Sequence, residues 1–222
     1  MRKILKNYQT KILLSRFPHS TTFLAQVAIS CAVGVFFALL RQSTGRNPND
    51  FGWAVSMAKD LLSGTDPYAA PLRDTVPYPL PVAIFGLPFV WANEATATDI
   101  FIGISIAVLV FYILNNRKPW RLLILASAPL LSAVQTGQWS PLITASWFLP
   151  GLSGLLVFVK PQTAIPIFLA RFRRKDIVIG SCVLIGSLLV MPLWPLKWWQ
   201  STSDYTFTIV PILAPLGMLL LL

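Results

Sequence analysis

The feature that most constrains this chain is an apolar run, Thr21 to Leu40, set directly behind a basic N-terminus carrying Arg2, Lys3, Lys6, Lys11 and Arg16. An apolar helix of about twenty residues is long enough to cross a hydrocarbon core roughly 30 Å thick. A secretory signal peptide has a shorter apolar core and a small-residue cleavage site, and no further spans need follow it. Here more apolar runs do follow, so the segment reads as a retained signal-anchor span. A mean hydropathy of +0.66 and a charged content of only 12% fit a chain dissolved in lipid. The expected fold class is all-α: a polytopic transmembrane helical bundle forming a single membrane domain over residues 1–222.

The net charge of +10 does not point to nucleic acid. The basic residues sit at the ends of apolar runs, where the positive-inside rule accounts for them, and not on an aromatic-rich soluble face. Residues 1–19, the turn Arg117-Lys118-Pro119-Trp120-Arg121 and the turn Arg171-Phe172-Arg173-Arg174-Lys175 are therefore assigned to the cytoplasm. Residues 42–76 carry both signs nearly in balance and can be translocated, so the first span, 20–41, runs outward.

Two segments compete for the return crossing. Residues 77–92 contain Pro77, Pro79, Pro81 and Pro88, which remove backbone donors and break helices. Residues 99–115 contain no proline, so they are expected to span, leaving 42–98 as an outer-face loop with an amphipathic or re-entrant element. Within the remaining spans, 99–222, residues 120–136 return outward. The next stretch reads two ways. It is either one span, 141–159, kinked at Pro150-Gly151, or three short crossings broken at Pro150-Gly151 and Lys160-Pro161. Lys160 is inside in the first reading and outside in the second. Residues 176–196 then cross outward to an aromatic belt of Trp194, Trp198 and Trp199, and 207–222 go back in.

Cys31 and Cys182 fall inside apolar runs and read as buried small hydrophobes, implying neither a disulfide nor a metal site. His19 is the only histidine, with no partners for a triad or a zinc site. No metal and no cofactor are expected.

The outer segment is unusually polar for such a chain, with Asp50, Asp60, Asp66, Arg73 and Asp74 between spans. Residues 49–63 read as an interfacial helix capped by Asn49 or Asp50 and ended by Gly64 at the C′ position. Phe51, Val55, Ala58 and Leu62 share one face of it, with Asp60 and Ser63 opposite. Asp66-Pro67-Tyr68 reads as a turn with proline at its second position. On residue chemistry alone, Asp50 is a helix cap and Lys160 a snorkelling cation at a span end.

Taken in order, these residues resemble a family. An Asp follows the first span, with an aromatic three residues on (Trp53). Then come Gly64-Thr65-Asp66-Pro67-Tyr68, Tyr78-Pro79-Leu80-Pro81, Gly137-Gln138, Gly151-Leu152-Ser153-Gly154 and Lys160-Pro161-Gln162. The set is similar to the polytopic C-type glycosyltransferases that use polyprenol-phosphate sugars, in their bacterial mannosyltransferase-like branch, over roughly residues 20–175. The resemblance implies inverting transfer of a mannose-like hexose from a polyprenyl-phosphate sugar to an outer-face acceptor in a bacterial inner membrane. Asp50 would be the general base. Lys160, with Gln138 as a polar contact, would meet the lipid phosphate. Arg73 and Arg46 are further cations by proximity, and Asp66, Tyr68, Tyr78 and Trp53 are candidates for substrate contacts or the headgroup layer. The expected partners are membrane lipids, the lipid-phosphate donor and additional membrane subunits.

The chain departs from the family in length and in a short interval between Gly137-Gln138 and Lys160. Crossings of ten to twelve residues reach only about 15–18 Å. The alternative expectation is therefore a truncated, catalytically inactive relative serving as a structural or lipid-binding subunit. A transporter is disfavoured, since no internal repeat is seen.

Overall fold

A computed structural model describes residues 20–44, 50–69, 78–116 and 118–203, and among them every regular element is helical. The frame is a pair of long helices, α1 (Ser20–Thr44) and α4 (Glu94–Asn115). These two are long and apolar enough to cross a membrane. Helix α4 starts five residues before the expected Asp99, because Asn93 caps it by accepting the Thr96 N–H at 2.8 Å.

The pair is antiparallel. Phe23 meets Phe111 at 5.8 Å between ring centroids, Gly34 lies on Gly103, and Arg41 reaches Asp99. Both helices carry a small-xxx-small pair at the contact: Gly34 and Ala38 on one, Gly103 and Ala107 on the other. A Cβ on Gly34 would sit 2.5 Å from the Gly103 carbonyl oxygen, so the backbones touch. In lipid, where apolar burial drives no association, such close packing is the main attraction between helices. The Arg41–Asp99 ion pair ties the same two helices one turn inside the Glu94 end.

Helix α2 (Gly52–Leu62) and the segment Leu80–Phe89 pack across that end. The segment is a four-residue helix, α3 (Ala83–Gly86), between two 3-10 turns, as its prolines require. Gly86 lets it touch α2 directly, for a Cβ there would fall 1.9 Å from the Ala54 carbonyl oxygen.

Beyond α4 the expectations need correction. Residues 120–136 form no single helix. A 3-10 stretch, Pro119–Ala126, ends at Ser127 before α5 (Ala128–Gln135). Pro129 has no N–H to continue an earlier helix, which accounts for the break. Next come α6 (Ser140–Ser146), α7 (Leu152–Val157) and α8 (Pro161–Ala170), interrupted at both Pro150-Gly151 and Lys160-Pro161. Gly151 takes a positive φ of 96°, and its N–H is held by the buried Asp176 carboxylate at 2.6 Å. A single kinked span over 141–159 is thereby ruled out. Helix α6 runs from the level of Phe101, where Trp139 packs, to that of Tyr112, where Phe148 stacks. Lys160, one short helix further on, is back beside Asp50.

Helix α9 (Arg174–Val190) bends by 89° into α10 (Trp194–Ser203), with Pro192 and Pro195 at the bend. That pair makes a third candidate span if counted as one. Trp194 is not in an interfacial belt. It is buried, with its Nε1–H donated to Ser187 Oγ at 3.1 Å, whereas Trp199 is exposed. Cys31 and Cys182 are free but exposed on helix faces, not buried. His19, Arg46, Arg73, Asp74 and the segment 207–222 lie outside the described residues.

Candidate active site

The segment between α1 and α4 is organised by aromatic packing. Phe51 is fully buried and stacks on Phe101 at 3.9 Å, and Trp139, also fully buried, packs on Phe51, Phe85, Phe101 and Tyr78. This cluster fixes the residue before Phe51. The Asp50 N–H donates to the Thr136 carbonyl at 3.1 Å, which pins the backbone to the end of α5.

Asp50 is consequently not a helix cap. Phe51 occupies the cap position of α2 and makes no side-chain cap bond. The Asp50 carboxylate turns the other way, into a small polar cluster. Tyr78 Oη donates to Oδ1 at 2.6 Å, and Lys160 Nζ donates to Oδ2 at 2.5 Å across 110 residues of chain. The Lys160 ammonium also lies 5.6 Å from the centroid of the Tyr78 ring, a cation–π distance. Lys160 is only 13% exposed and Asp50 26%. A lysine this buried and paired is not snorkelling.

Tyr68 extends the cluster by donating its hydroxyl to the Tyr78 carbonyl at 3.1 Å. Burial first, and then the neighbouring carboxylates, push the Tyr78 and Tyr68 hydroxyls far above the ordinary tyrosine value. Tyr78 therefore stays a neutral donor at any working pH. Tyr78 is buried, with its hydroxyl bonded to Asp50.

The Gly64–Tyr68 turn forms as expected. Gly64 has φ 71°, Ala69 N–H returns to the Asp66 carbonyl at 3.0 Å, and Tyr68 N–H donates to Asp66 Oδ1 at 3.0 Å. The other Asp66 oxygen accepts from Lys197 of α10. Of the residues expected to share one face of α2, Phe51, Val55 and Ala58 are buried while Leu62, at the last turn, is 64% exposed. Gln138 is half-buried just past the end of α5, where its side chain meets Ser140 at 3.4 Å and does not reach Asp50 or Lys160.

Burial raises the Asp66 carboxyl, but the bonds from Lys197 and Tyr68 outweigh it and hold the group below its ordinary 3.8. A depressed carboxyl adds stability above its unfolded value and loses it as pH falls through the folded one. Helix α10 should thus loosen from the loop below pH 3.8. At neutral pH, Asp66→Asn should cost no more than about 1 kcal/mol, because the pair is partly exposed. Thermal unfolding of wild type and Asp66→Asn in detergent at two pH values would check both; a larger effect of the substitution in acid than at neutral pH would be against it.

Two contributors were not legible as such. Lys197 sits among the tryptophans of α10 and shows no motif. Trp139 follows Gly137-Gln138, yet nothing in its spacing marks it as the centre of the cluster; its buried Nε1 finds no hydrogen-bond acceptor among the described residues. No three His, Cys, Asp or Glu side chains gather as metal ligands among the described residues.

Chemically, the cluster is a carboxylate with one charged and one neutral donor. A carboxylate offers about four lone-pair sites, so the two bonds leave room for a substrate hydroxyl. The ammonium beside it can meet an anion. No protein-family model, curated protein or solved structure matches the chain.

Proposed function

We propose that this is an integral-membrane glycosyltransferase that moves a mannose-like hexose from a polyprenyl-phosphate sugar to an outer-face hydroxyl, with inversion. The observation that carries the reading is the contact of Lys160 and Tyr78 with Asp50. It joins, across 110 residues of chain, Asp50 and Lys160, to which the resemblance assigns base and phosphate contact. In this mechanism Asp50 accepts the proton of the acceptor hydroxyl as that oxygen attacks the anomeric carbon. The bond to the lipid phosphate breaks on the opposite face, and Lys160 meets the charge that develops there. Tyr78 orients the carboxylate. The proposed topology has a cytoplasmic N-terminus in a bacterial inner membrane, with the site at the outer end of α1 and α4.

A second reading, a non-catalytic membrane subunit, is favoured by one observation. Both Asp50 oxygens are already bonded, as they would be in a purely structural clasp.

The test is purified protein in liposomes with polyprenyl-phosphate mannose or glucose and hydroxyl acceptors. Release of polyprenyl phosphate with an inverted product supports transfer. No turnover with a panel of donors and acceptors supports the clasp. Tyr78→Phe removes the orienting hydroxyl and is expected to lower kcat about tenfold, from one hydrogen bond to a charged group. An unchanged kcat would remove Tyr78 from the mechanism.

A further inference from the structure

The other end of the α1–α4 pair carries a feature that glycosyl transfer does not use. A groove of about 500 Å³ opens between the last turns of α4, the Pro119–Ala126 stretch and α6. Its walls are almost wholly apolar, including Leu109, Ile113, Leu123 and Phe148, with Arg121 and Thr144 the polar exceptions. It lies away from Asp50. The ten-residue helix α8 leads from Lys160 to Arg171, roughly 15 Å at 1.5 Å per residue.

Two guanidiniums flank the groove, each over one of its tryptophans. Arg121 lies 5.6 Å from the Trp120 ring centroid and Arg171 5.1 Å from that of Trp147. Arg171 also donates to the Trp147 carbonyl at 2.5 Å, which fixes it at the rim. The charge here is one-sided. The ion pairs of the described residues, Arg41–Asp99, Lys160–Asp50 and Lys197–Asp66, all involve other cations. Among the described residues no carboxylate pairs with Lys118, Arg121, Arg171, Arg173, Arg174 or Lys175. The one acid close in sequence, Asp176, is buried and turned to Gly151.

An apolar channel roofed by tryptophans and edged by unpaired arginines is complementary to one class of molecule: an apolar chain ending in an anion. Basic pockets between helices on the cytoplasmic side bind anionic lipid headgroups for this reason. Guanidinium, with its planar fork of donors, grips a phosphate better than an ammonium does.

We infer that this groove binds an anionic glycerophospholipid, one acyl chain lying along α4 and α6 and the phosphate held between Arg121 and Arg171. The inference rests on the membrane placement of α1 and α4 and not on sugar transfer, so it stands or falls separately from the Asp50 site.

The test uses the full chain in phosphatidylcholine nanodiscs, with phosphatidylglycerol of the same acyl chains titrated in and retained lipid read by native mass spectrometry. Phosphatidylglycerol should be retained in preference to phosphatidylcholine. Arg121→Gln and Arg171→Gln should each weaken retention about fivefold, the scale of one cation near an anionic headgroup. Arg121→Lys, which keeps the charge, should fall between wild type and Arg121→Gln. Thr144→Trp, which fills the groove and leaves both arginines, should also weaken retention. Equal retention of the two lipids would overturn the inference. So would competition by chain-free glycerol 3-phosphate as effective as that by the lipid, or arginine variants that retain lipid like wild type.

Discussion

Asp50→Asn is expected to lower the rate of transfer by a factor on the order of 10²–10⁴, the usual contribution of a positioned general base. On the proposed mechanism the loss should fall on kcat, because the amide could not take the hydroxyl proton while the donor phosphate would still find Lys160. The variant has a structural cost as well. Removing one partner leaves the Lys160 ammonium, 13% exposed, without its carboxylate. Such breaks destabilise because an unpaired charge remains in poor solvent. The two effects separate in a second variant, Asp50→Asn with Lys160→Met, which removes the stranded charge. Stability should recover in the double variant while transfer stays lost. Recovery of both would mean that Asp50 serves only to neutralise Lys160. Unfolding temperature and single-turnover transfer, measured on the same preparations, report the split.

Gly86→Ala is expected to have the largest effect on stability. The added Cβ would stand 1.9 Å from the Ala54 carbonyl oxygen and 2.3 Å from its carbonyl carbon. Those are backbone atoms of α2 and cannot swing aside, so α2 and the Leu80–Phe89 segment must separate. Overpacking of this kind costs about 3 kcal/mol, at the upper end of its usual range. The damage should reach the site. Tyr78 leads into Leu80–Phe89 and Asp50 leads into α2, so parting the two opens the 2.6 Å bond between them. Gly64→Ala makes a useful contrast. Nothing lies within 4 Å of a Cβ there, and only its φ of 71° is strained, so a smaller loss is expected. An unfolding midpoint for Gly86→Ala equal to wild type would contradict this packing.

How much was legible in the sequence depended on whether local chemistry or distant packing decided the matter. Several proline and glycine positions were legible, although the breaks at Pro129 and Pro192 were not. The breaks at Pro150-Gly151 and Lys160-Pro161, the turn at Asp66-Pro67 and the positive φ at Gly64 all follow from what those residues do to their own backbone. The two helices long and apolar enough to cross a membrane were legible too, since length and apolarity are local properties. Asp50 was not. Its neighbours in sequence favour a cap, but Phe51 is drawn onto Phe101, and that contact rotates Asp50 toward Tyr78 and Lys160. Trp194 failed for the same kind of reason: an aromatic after a span normally marks the interface, yet the bend at Pro192 folds it back onto Ser187.

The pairing of the two long helices does have a local signature. Gly34 with Ala38, and Gly103 with Ala107, are small residues spaced four apart within the two spans, and they form the α1–α4 contact. Small pairs at that spacing let helix backbones approach closely in lipid. The antiparallel pairing they allow sets Asp50 at the end opposite Arg121.

The most direct test of the central claim, that the Asp50–Tyr78–Lys160 cluster is a working site, is single-turnover transfer of labelled hexose from its polyprenyl phosphate. Wild type and Asp50→Asn would be compared at matched folded concentration. The account expects label to move from lipid to acceptor in wild type and to stay on the lipid in the variant. Equal transfer by both, or none by wild type, would contradict it.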